Sequence, residues 1–194
     1  MAGKSISIRT RARRRQEGFT LIETLISMVV MTVGLVALLG VFGLAMASTQ
    51  TSQENAIGKR LANEALEGIL TARETANITW GELQNTGSGG IFLAGAQPIN
   101  NPGVDGIIGT ADDAAAGAQR LEMPGPSGVY AGTCPPDNCM NLSNYTRTIA
   151  IQQATNGGVP IPTLNIVTIT ITYTTPQLKI PKNYVLVAHV SQYR

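Results

Sequence analysis

The 194-residue sequence predicts an α+β fold, in which a long N-terminal α-helix packs by its second half against a small antiparallel β-sheet head. Three observations favour this fold class. A long apolar run follows the N-terminus, apolar residues then recur at helical spacing, and the C-terminal third alternates apolar and polar residues. Glycine and proline are concentrated between the helical and the alternating segments, which predicts a long loop-rich insertion in the head.

Positive charge is concentrated in a short N-terminal tail. Residues 1–18 carry a net charge of +5, whereas residues 19–194 carry −3. A basic tail beside an apolar run is typical of a membrane protein whose N-terminus stays in the cytoplasm. Direct nucleic-acid binding is not expected, because the tail has no interleaved aromatic residues and the rest of the chain offers no basic surface.

The apolar run covers residues 19–47, and Glu23 is its only charged residue. As a helix, the uncharged part of this run would be about 36 Å long, enough to cross a hydrocarbon core of about 30 Å. We therefore expect the first half of the helix to span a membrane once, rather than to lie in a soluble core. A cleaved secretory signal is disfavoured, because its apolar region usually has only about 7–15 residues. An uncleaved anchor is the open alternative.

The junction between the basic tail and the apolar run carries a specific motif. Residues 18–23 read GFTLIE and follow three consecutive arginines. This segment resembles the class III leader of type IV prepilins and type II secretion pseudopilins. The resemblance implies that a prepilin peptidase removes residues 1–18 by cutting between Gly18 and Phe19, and that the new Phe19 amine is N-methylated. Residues 19–47 would then stay on the mature protein as a transmembrane and filament-core helix.

Glu23 is the residue of this segment that needs a physical explanation. A carboxylate within an apolar helix is costly, and such residues are usually functional and paired. Cleavage after Gly18 would create a cationic amine four residues before Glu23, and a staggered parallel stack could bring that amine to the Glu23 of a neighbouring subunit. The resemblance assigns Glu23 this role in setting the assembly register. The alternative is a carboxylate that reaches the membrane interface or becomes protonated.

The helix is expected to continue beyond the apolar run, from about residue 19 to about residue 75. Residues 48–80 form the amphipathic part that leads into the head. One face of this part carries apolar residues at the spacing of a helix, so this face should cover the sheet. Its members are Ile57, Leu61, Ala65, Leu66, Ile69 and Leu70.

The head is expected to comprise residues 81–194, loop-rich over residues 81–136 and built from antiparallel strands over residues 137–194. The clearest strand covers residues 164–174, where β-branched apolar residues alternate with threonine. Its expected companions are residues 145–152 and 184–192, with turns at residues 157–160 and 176–183.

Two groups in the head suggest local chemistry. Asp105, Asp112 and Asp113 lie among glycines, and carboxylates of this kind can contribute to an oxygen cage for Ca²⁺. The alternative is a solvated turn capped by an aspartate. Cys134 and Cys139 are expected to form a disulfide that closes a small loop, because the head lies outside the cytoplasm. No cofactor is required, and a structural Ca²⁺ is the one candidate.

The sequence has no phosphate-binding loop, nucleophile elbow or cluster of metal-ligating residues, so we do not expect an enzyme. The overall plan is most similar to the minor pilins of the PilV (type IV pilus modification) family. This resemblance implies a structural subunit that starts in the bacterial inner membrane and is then incorporated into a cell-surface pilus or a periplasmic pseudopilus. Its expected partners are other pilins through the N-terminal helix, the prepilin peptidase and the inner-membrane assembly platform. A type II secretion minor pseudopilin and an uncleaved envelope protein with a ligand- or calcium-binding head are the alternatives.

Overall fold

The computed structural model describes residues 18–122, 139–175 and 180–193. The chain divides into two units, Met1–Met46 and Ala47–Arg194. Helix α1, Leu21–Glu74, has 54 residues and contributes to both units. The predicted long helix is therefore confirmed, and its ends differ by one or two residues from those expected.

The described part of the first unit consists of residues 18–20 and the start of α1. Every residue from 18 to 46 is exposed, although most of them are apolar. In the described chain, α1 is the one helix that is long and apolar enough to cross a membrane. Over residues 18–46, the part that the structure describes, this unit has no apolar core of its own, since the large apolar side chains there are all exposed.

In the second unit, α1 buries one face. Leu61, Ala65 and Ile69 are fully buried as predicted, whereas Ile57 and the other predicted members of this face are partly buried. The sequence pattern missed small residues at the centre of the face, of which Gly58 is an example. A Cβ atom on Gly58 would lie 3.5 Å from atoms of Tyr173 and of Tyr184, which is ordinary van der Waals contact, so Gly58 lies where the helix packs against the sheet.

The sheet against which α1 packs has four antiparallel strands. Their order across the sheet is β1 (Gln97–Pro98), β4 (Tyr145–Asn156), β5 (Val159–Thr174) and β6 (Pro181–Ser191). The inward rows of β4 and β5 alternate with half-exposed residues, as the period of two predicts. The long helix on an antiparallel sheet confirms the predicted α+β, pilin-like fold class.

The strands are longer than the sequence analysis predicted. Gly157 and Gly158 alone form the turn between β4 and β5, with φ angles of +57° and +85° that suit a two-residue hairpin turn. The expectation that Val159 and Pro160 belong to this turn was wrong, because both lie in β5. Proline is tolerated there because β6 pairs with β5 only from Leu164 onward, so among the described residues no strand pairs with that side of β5 at Pro160. Similarly, β6 already begins at Pro181, inside the predicted second turn.

Short elements occupy the described part of the loop-rich insertion. Strand β2 (Arg120–Glu122) pairs with β3 (Cys139–Asn141), and helix α2 (Asp113–Ala116) has a single turn. Buried apolar side chains of the long loops pack into the core, so the described part of the insertion is an integral part of the head. These side chains are Leu83, Phe92, Ile99, Ile107 and Ile108.

Candidate functional site

The start of α1 is fixed by a local capping arrangement. The Thr20 hydroxyl accepts a hydrogen bond from the Glu23 N–H at 3.4 Å, and the Thr20 carbonyl accepts from Glu23 and from Thr24. Thr20 therefore takes the position of a helix-capping residue, with glutamate three positions later as in a capping box. The sequence analysis missed this role, although the Thr-x-x-Glu spacing was visible.

The predicted cleavage point lies just before this cap. Gly18 and Phe19 precede the helix and Phe19 is 82% exposed, and among the described residues no atom beyond the chain neighbours lies within 4 Å of a Cβ built on Gly18. The surroundings of the Gly18–Phe19 peptide bond are thus open on the described side. The basic tail, residues 1–17, lies outside the described residues. Cleavage at Gly18 and methylation of Phe19 stay predictions.

Glu23 is in the first turn of α1 and its side chain is exposed. The backbone of the residue is fully used, since its N–H donates to Thr20 and its carbonyl accepts from the Ser27 hydroxyl at 2.7 Å. A carboxylate in this position is favourable for the helix, because the first turn carries partial positive charge. The structure thus presents Glu23 on the outside of the helix, where a neighbouring chain can reach it.

Hydroxyl groups in the apolar part of α1 bond to the helix itself. Thr24 donates to the Leu21 carbonyl at 2.8 Å, Ser27 to that of Glu23, and Thr32 to the Met28 carbonyl at 2.7 Å. A polar group in hydrocarbon is costly when it has no hydrogen-bond partner. These hydroxyls have partners within the same helix, so the segment is compatible with an apolar environment.

The structure brings the three predicted calcium ligands into one loop, where they accept hydrogen bonds from the chain itself. Asp113 accepts from the N–H groups of Gly103 at 2.9 Å and Gly109 at 2.6 Å. Asp112 accepts from the Thr110 hydroxyl at 2.6 Å and from the Asp105 N–H at 3.2 Å. The Asp105 carboxylate in turn accepts from the N–H of the residue two positions later.

These contacts explain the loop without a metal, because five of the six carboxylate oxygens face N–H or O–H donors. Within the described ranges, no group of three acidic, histidine or cysteine residues is arranged to hold a metal ion. The hydrogen bonds that these carboxylates accept match the alternative, a turn capped by aspartate. Calcium binding stays a prediction.

The electrostatic surroundings of the two neighbouring aspartates differ. Burial raises the pKa of Asp113, and the hydrogen bonds from the backbone and the charge of Arg147 partly oppose this effect. The half-buried Asp112 has a lowered pKa, chiefly because the Thr110 hydroxyl donates to it. Asp113 thus stabilises the loop from a buried position, and the spacing of the residues in the sequence did not distinguish it from Asp112.

Of the two predicted disulfide partners, Cys139 begins β3 and is half-buried. Cys134 lies outside the described residues. The bridge between Cys134 and Cys139 therefore stays a prediction.

Comparison with known proteins assigns the N-terminal segment. The profile of a family described as "Prokaryotic N-terminal methylation motif" matches residues 13–39, which include Gly18, Phe19 and Glu23. No curated protein and no solved structure matches the chain. A prepilin motif of this kind implies processing by prepilin peptidase and a non-enzymatic structural role, first in the inner membrane and then in a pilus or pseudopilus. The motif and the long helix packed on an antiparallel sheet identify a prepilin-type protein that is similar to type IV pilins and pseudopilins.

Proposed function

We propose that this protein is a minor pilin of a type IV pilus, of the kind found in the PilV family. Prepilin peptidase cuts between Gly18 and Phe19, the Phe19 amine is methylated, and the assembly platform moves the subunit from the inner membrane into the pilus. One observation carries the proposal: the methylation motif overlaps the start of α1, and every residue from 18 to 46 is exposed.

The exposed surface of this helix requires a partner. Burying one large apolar side chain stabilises by about 1.5–3 kcal/mol, and 18 such side chains between Phe19 and Met46 are more than half exposed. A surface of this size is not stable in water, and it is far larger than the apolar patches of ordinary monomers. Lipid covers it before assembly, and the helices of neighbouring subunits cover it in the filament.

Glu23 sets the register of that packing. The carboxylate is exposed at the helix start, and the amine created by cleavage belongs to a residue four positions earlier. When parallel helices are staggered by about one turn, the Glu23 carboxylate of one subunit meets the Phe19 amine of the next. The pair selects the register more than it adds stability, because desolvation offsets much of the attraction.

A minor rather than a major subunit is favoured by the mature length of 176 residues and by the irregular loops of the head. The second candidate is a minor pseudopilin of type II secretion, since the matching motif occurs in both classes. Sheared pili containing this chain favour the pilin, whereas its presence only in a secretion complex favours the pseudopilin.

Mass spectrometry of the membrane-extracted protein tests the proposal. A mature N-terminus at methylated Phe19 is expected, and Gly18→Leu should abolish cleavage. Glu23→Ala should leave cleavage intact and reduce incorporation into filaments, while Glu67→Ala, which removes an exposed glutamate from the head part of the same helix, should have no effect. Protein that keeps residues 1–18 and never enters a filament contradicts the proposal.

A further inference from the structure

A pocket lies in the head between the carboxyl end of α1 and the residues that follow β6. Its volume is about 260 Å³, close to the lower end of the range of about 300–1,000 Å³ that is usual for small-molecule sites. The pocket therefore suits a ligand the size of a single sugar ring. We call it the Trp80 pocket, and its lining residues are Arg73, Ala76, Ile78, Thr79, Trp80 and Gln192.

Trp80 is held in place at the wall of this pocket. Its Nε1–H donates to the Pro162 carbonyl of β5 at 3.0 Å, and the half-buried ring packs partly against the core. An indole has no other hydrogen-bonding group, so the rest of the ring offers the pocket an apolar surface. The C–H groups of a sugar ring can pack against such a surface while its hydroxyl groups point elsewhere.

Two planar polar side chains line the same pocket. The Arg73 Nη2 atom donates to the Tyr193 carbonyl at 2.9 Å, which orients the guanidinium at the end of α1. The backbone N–H of Gln192 donates to the Thr163 carbonyl at 2.7 Å, which fixes the residue beside the sheet. A guanidinium donates hydrogen bonds and an amide both donates and accepts, so together they match hydroxyl groups, which also do both.

The charge of the lining restricts the kind of ligand. Arg73 is a cation, and among the described residues no carboxylate lines the pocket. The Glu82 carboxylate lies outside the lining, where it accepts from the N–H and the hydroxyl of Thr79 at 2.7 Å and 2.8 Å. A cationic ligand would be repelled by Arg73. A simple anion would engage Arg73 but would leave the apolar surface of Trp80 without a partner.

The backbone is strained at this pocket. Ala76 has a φ of +61°, and among the described residues it is the one non-glycine residue with a positive φ. It follows the end of α1, where glycine is usual because side chains disfavour this conformation. The chain thus holds a methyl group in the pocket wall despite the conformational cost, and strained residues of this kind cluster at functional sites.

We propose that the Trp80 pocket binds a neutral sugar ring of a glycan. The C–H face of the ring packs against Trp80, and its hydroxyl groups bond to Arg73 and Gln192. An apolar surface with a few convergent polar groups is the usual composition of a small-molecule site. The inference goes beyond the proposed function and does not depend on it, because the pocket belongs to the head alone.

Fluorescence of Trp80 tests the site, because Trp80 is the only tryptophan of the chain. The full chain in micelles of dodecylphosphocholine, a detergent without a sugar, is titrated with the methyl glycosides of glucose, galactose, mannose and N-acetylglucosamine. We expect a saturable change in emission for at least one of them, with a Kd of about 1 mM because ligands of this size gain little free energy per atom. Glycerol has hydroxyl groups but no ring, and it should give no saturable change.

A matched pair of variants links the signal to the pocket. Gln192→Ala should raise the Kd at least about fivefold, because the sugar loses a hydrogen bond. Gln153→Ala is the control, since it removes an exposed glutamine that does not line the pocket and should leave the Kd unchanged.

The titration of the unmodified chain decides the question even if a variant does not fold. The absence of a saturable change with all four glycosides overturns the proposal. So does a saturable change with a polyproline peptide and with none of the sugars, which would make the pocket a peptide site. A Kd that is the same in Gln192→Ala also contradicts the assignment.

Discussion

Gly58 offers a sharp test of how α1 packs on the sheet. A buried mid-helix glycine at an interface is often assumed to be irreplaceable. Here, however, a Cβ atom would lie 3.5 Å from Tyr173 Cε1 and 3.5 Å from Tyr184 Cβ, which is ordinary van der Waals contact. The site therefore has room for a methyl group but not for a larger side chain. We predict that Gly58→Ala stabilises the protein and Gly58→Leu destabilises it.

The magnitude follows from helix propensity. Glycine in a helix interior is about 1 kcal/mol less favourable than alanine, and the new methyl group adds a small gain from burial. Gly58→Ala should therefore raise the unfolding free energy by about 1 kcal/mol, or the melting temperature by about 2–4 °C for a head of this size. Gly58→Leu should lower the unfolding free energy by about 1–3 kcal/mol because the side chain overpacks the interface.

Gly68→Ala is the matched control, because Gly68 lies in the same helix and, among the described residues, no atom from outside its own stretch of helix lies within 4 Å of its Cβ position. It should gain about the same from helix propensity alone. Thermal unfolding of the full chain in detergent, followed by circular dichroism at 222 nm, measures all three variants. If Gly68→Ala stabilises and Gly58→Ala destabilises, the helix lies closer to the sheet than described here and the reasoning fails.

Three further predictions concern the head. Asn85→Ala should destabilise it by about 2 kcal/mol in urea unfolding, because the Asn85 amide accepts from one backbone N–H of β4 and donates to one carbonyl, both at 2.8 Å. Gly109→Ala should cost more stability than Gly106→Ala in the same assay: both have positive φ, but only at Gly109 would a Cβ meet the Ile149 side chain. Burial, with the charge of a nearby carboxylate, raises the pKa of Tyr145 to about 12 and also raises that of Tyr173, so Tyr145 should ionise late when absorbance at 295 nm is followed. Because folding favours its neutral form, this contribution to stability is present below pH 10 and is lost as the pH rises towards 12.

The sequence predicted the elements that rest on a strong periodic pattern. The apolar run and the amphipathic face define α1, and the alternation of threonine with isoleucine defines β5. The ends of β4 and β5 were missed because the pairing of two strands extends them beyond their apolar pattern, up to the tight turn at Gly157 and Gly158. Pro160 argued against a strand at this point. It is tolerated because the described pairing of β5 with β6 starts only at Leu164.

Site residues could be predicted from the sequence only where they form a contiguous motif. Residues 18–23 form a contiguous motif, so Gly18, Phe19 and Glu23 were found without the fold. The use of Asp113 as an acceptor for two backbone N–H groups depends on how the loop closes, which spacing does not reveal. The charges of Glu64 and Asp113 act on the buried Arg147 although these residues are far apart in the chain, and no periodic pattern in the sequence marks this interaction.

The hydroxyl groups in the apolar part of α1 bear on the energetic cost of moving this helix out of a membrane. Thr24, Ser27 and Thr32 each donate to a carbonyl of their own helix, three or four positions earlier. Under the proposed function, transfer of this helix from lipid into a bundle of helices breaks none of these bonds and requires no new partner for the three hydroxyls. At these three positions, the energetic cost of leaving the membrane therefore includes no lost hydrogen bond.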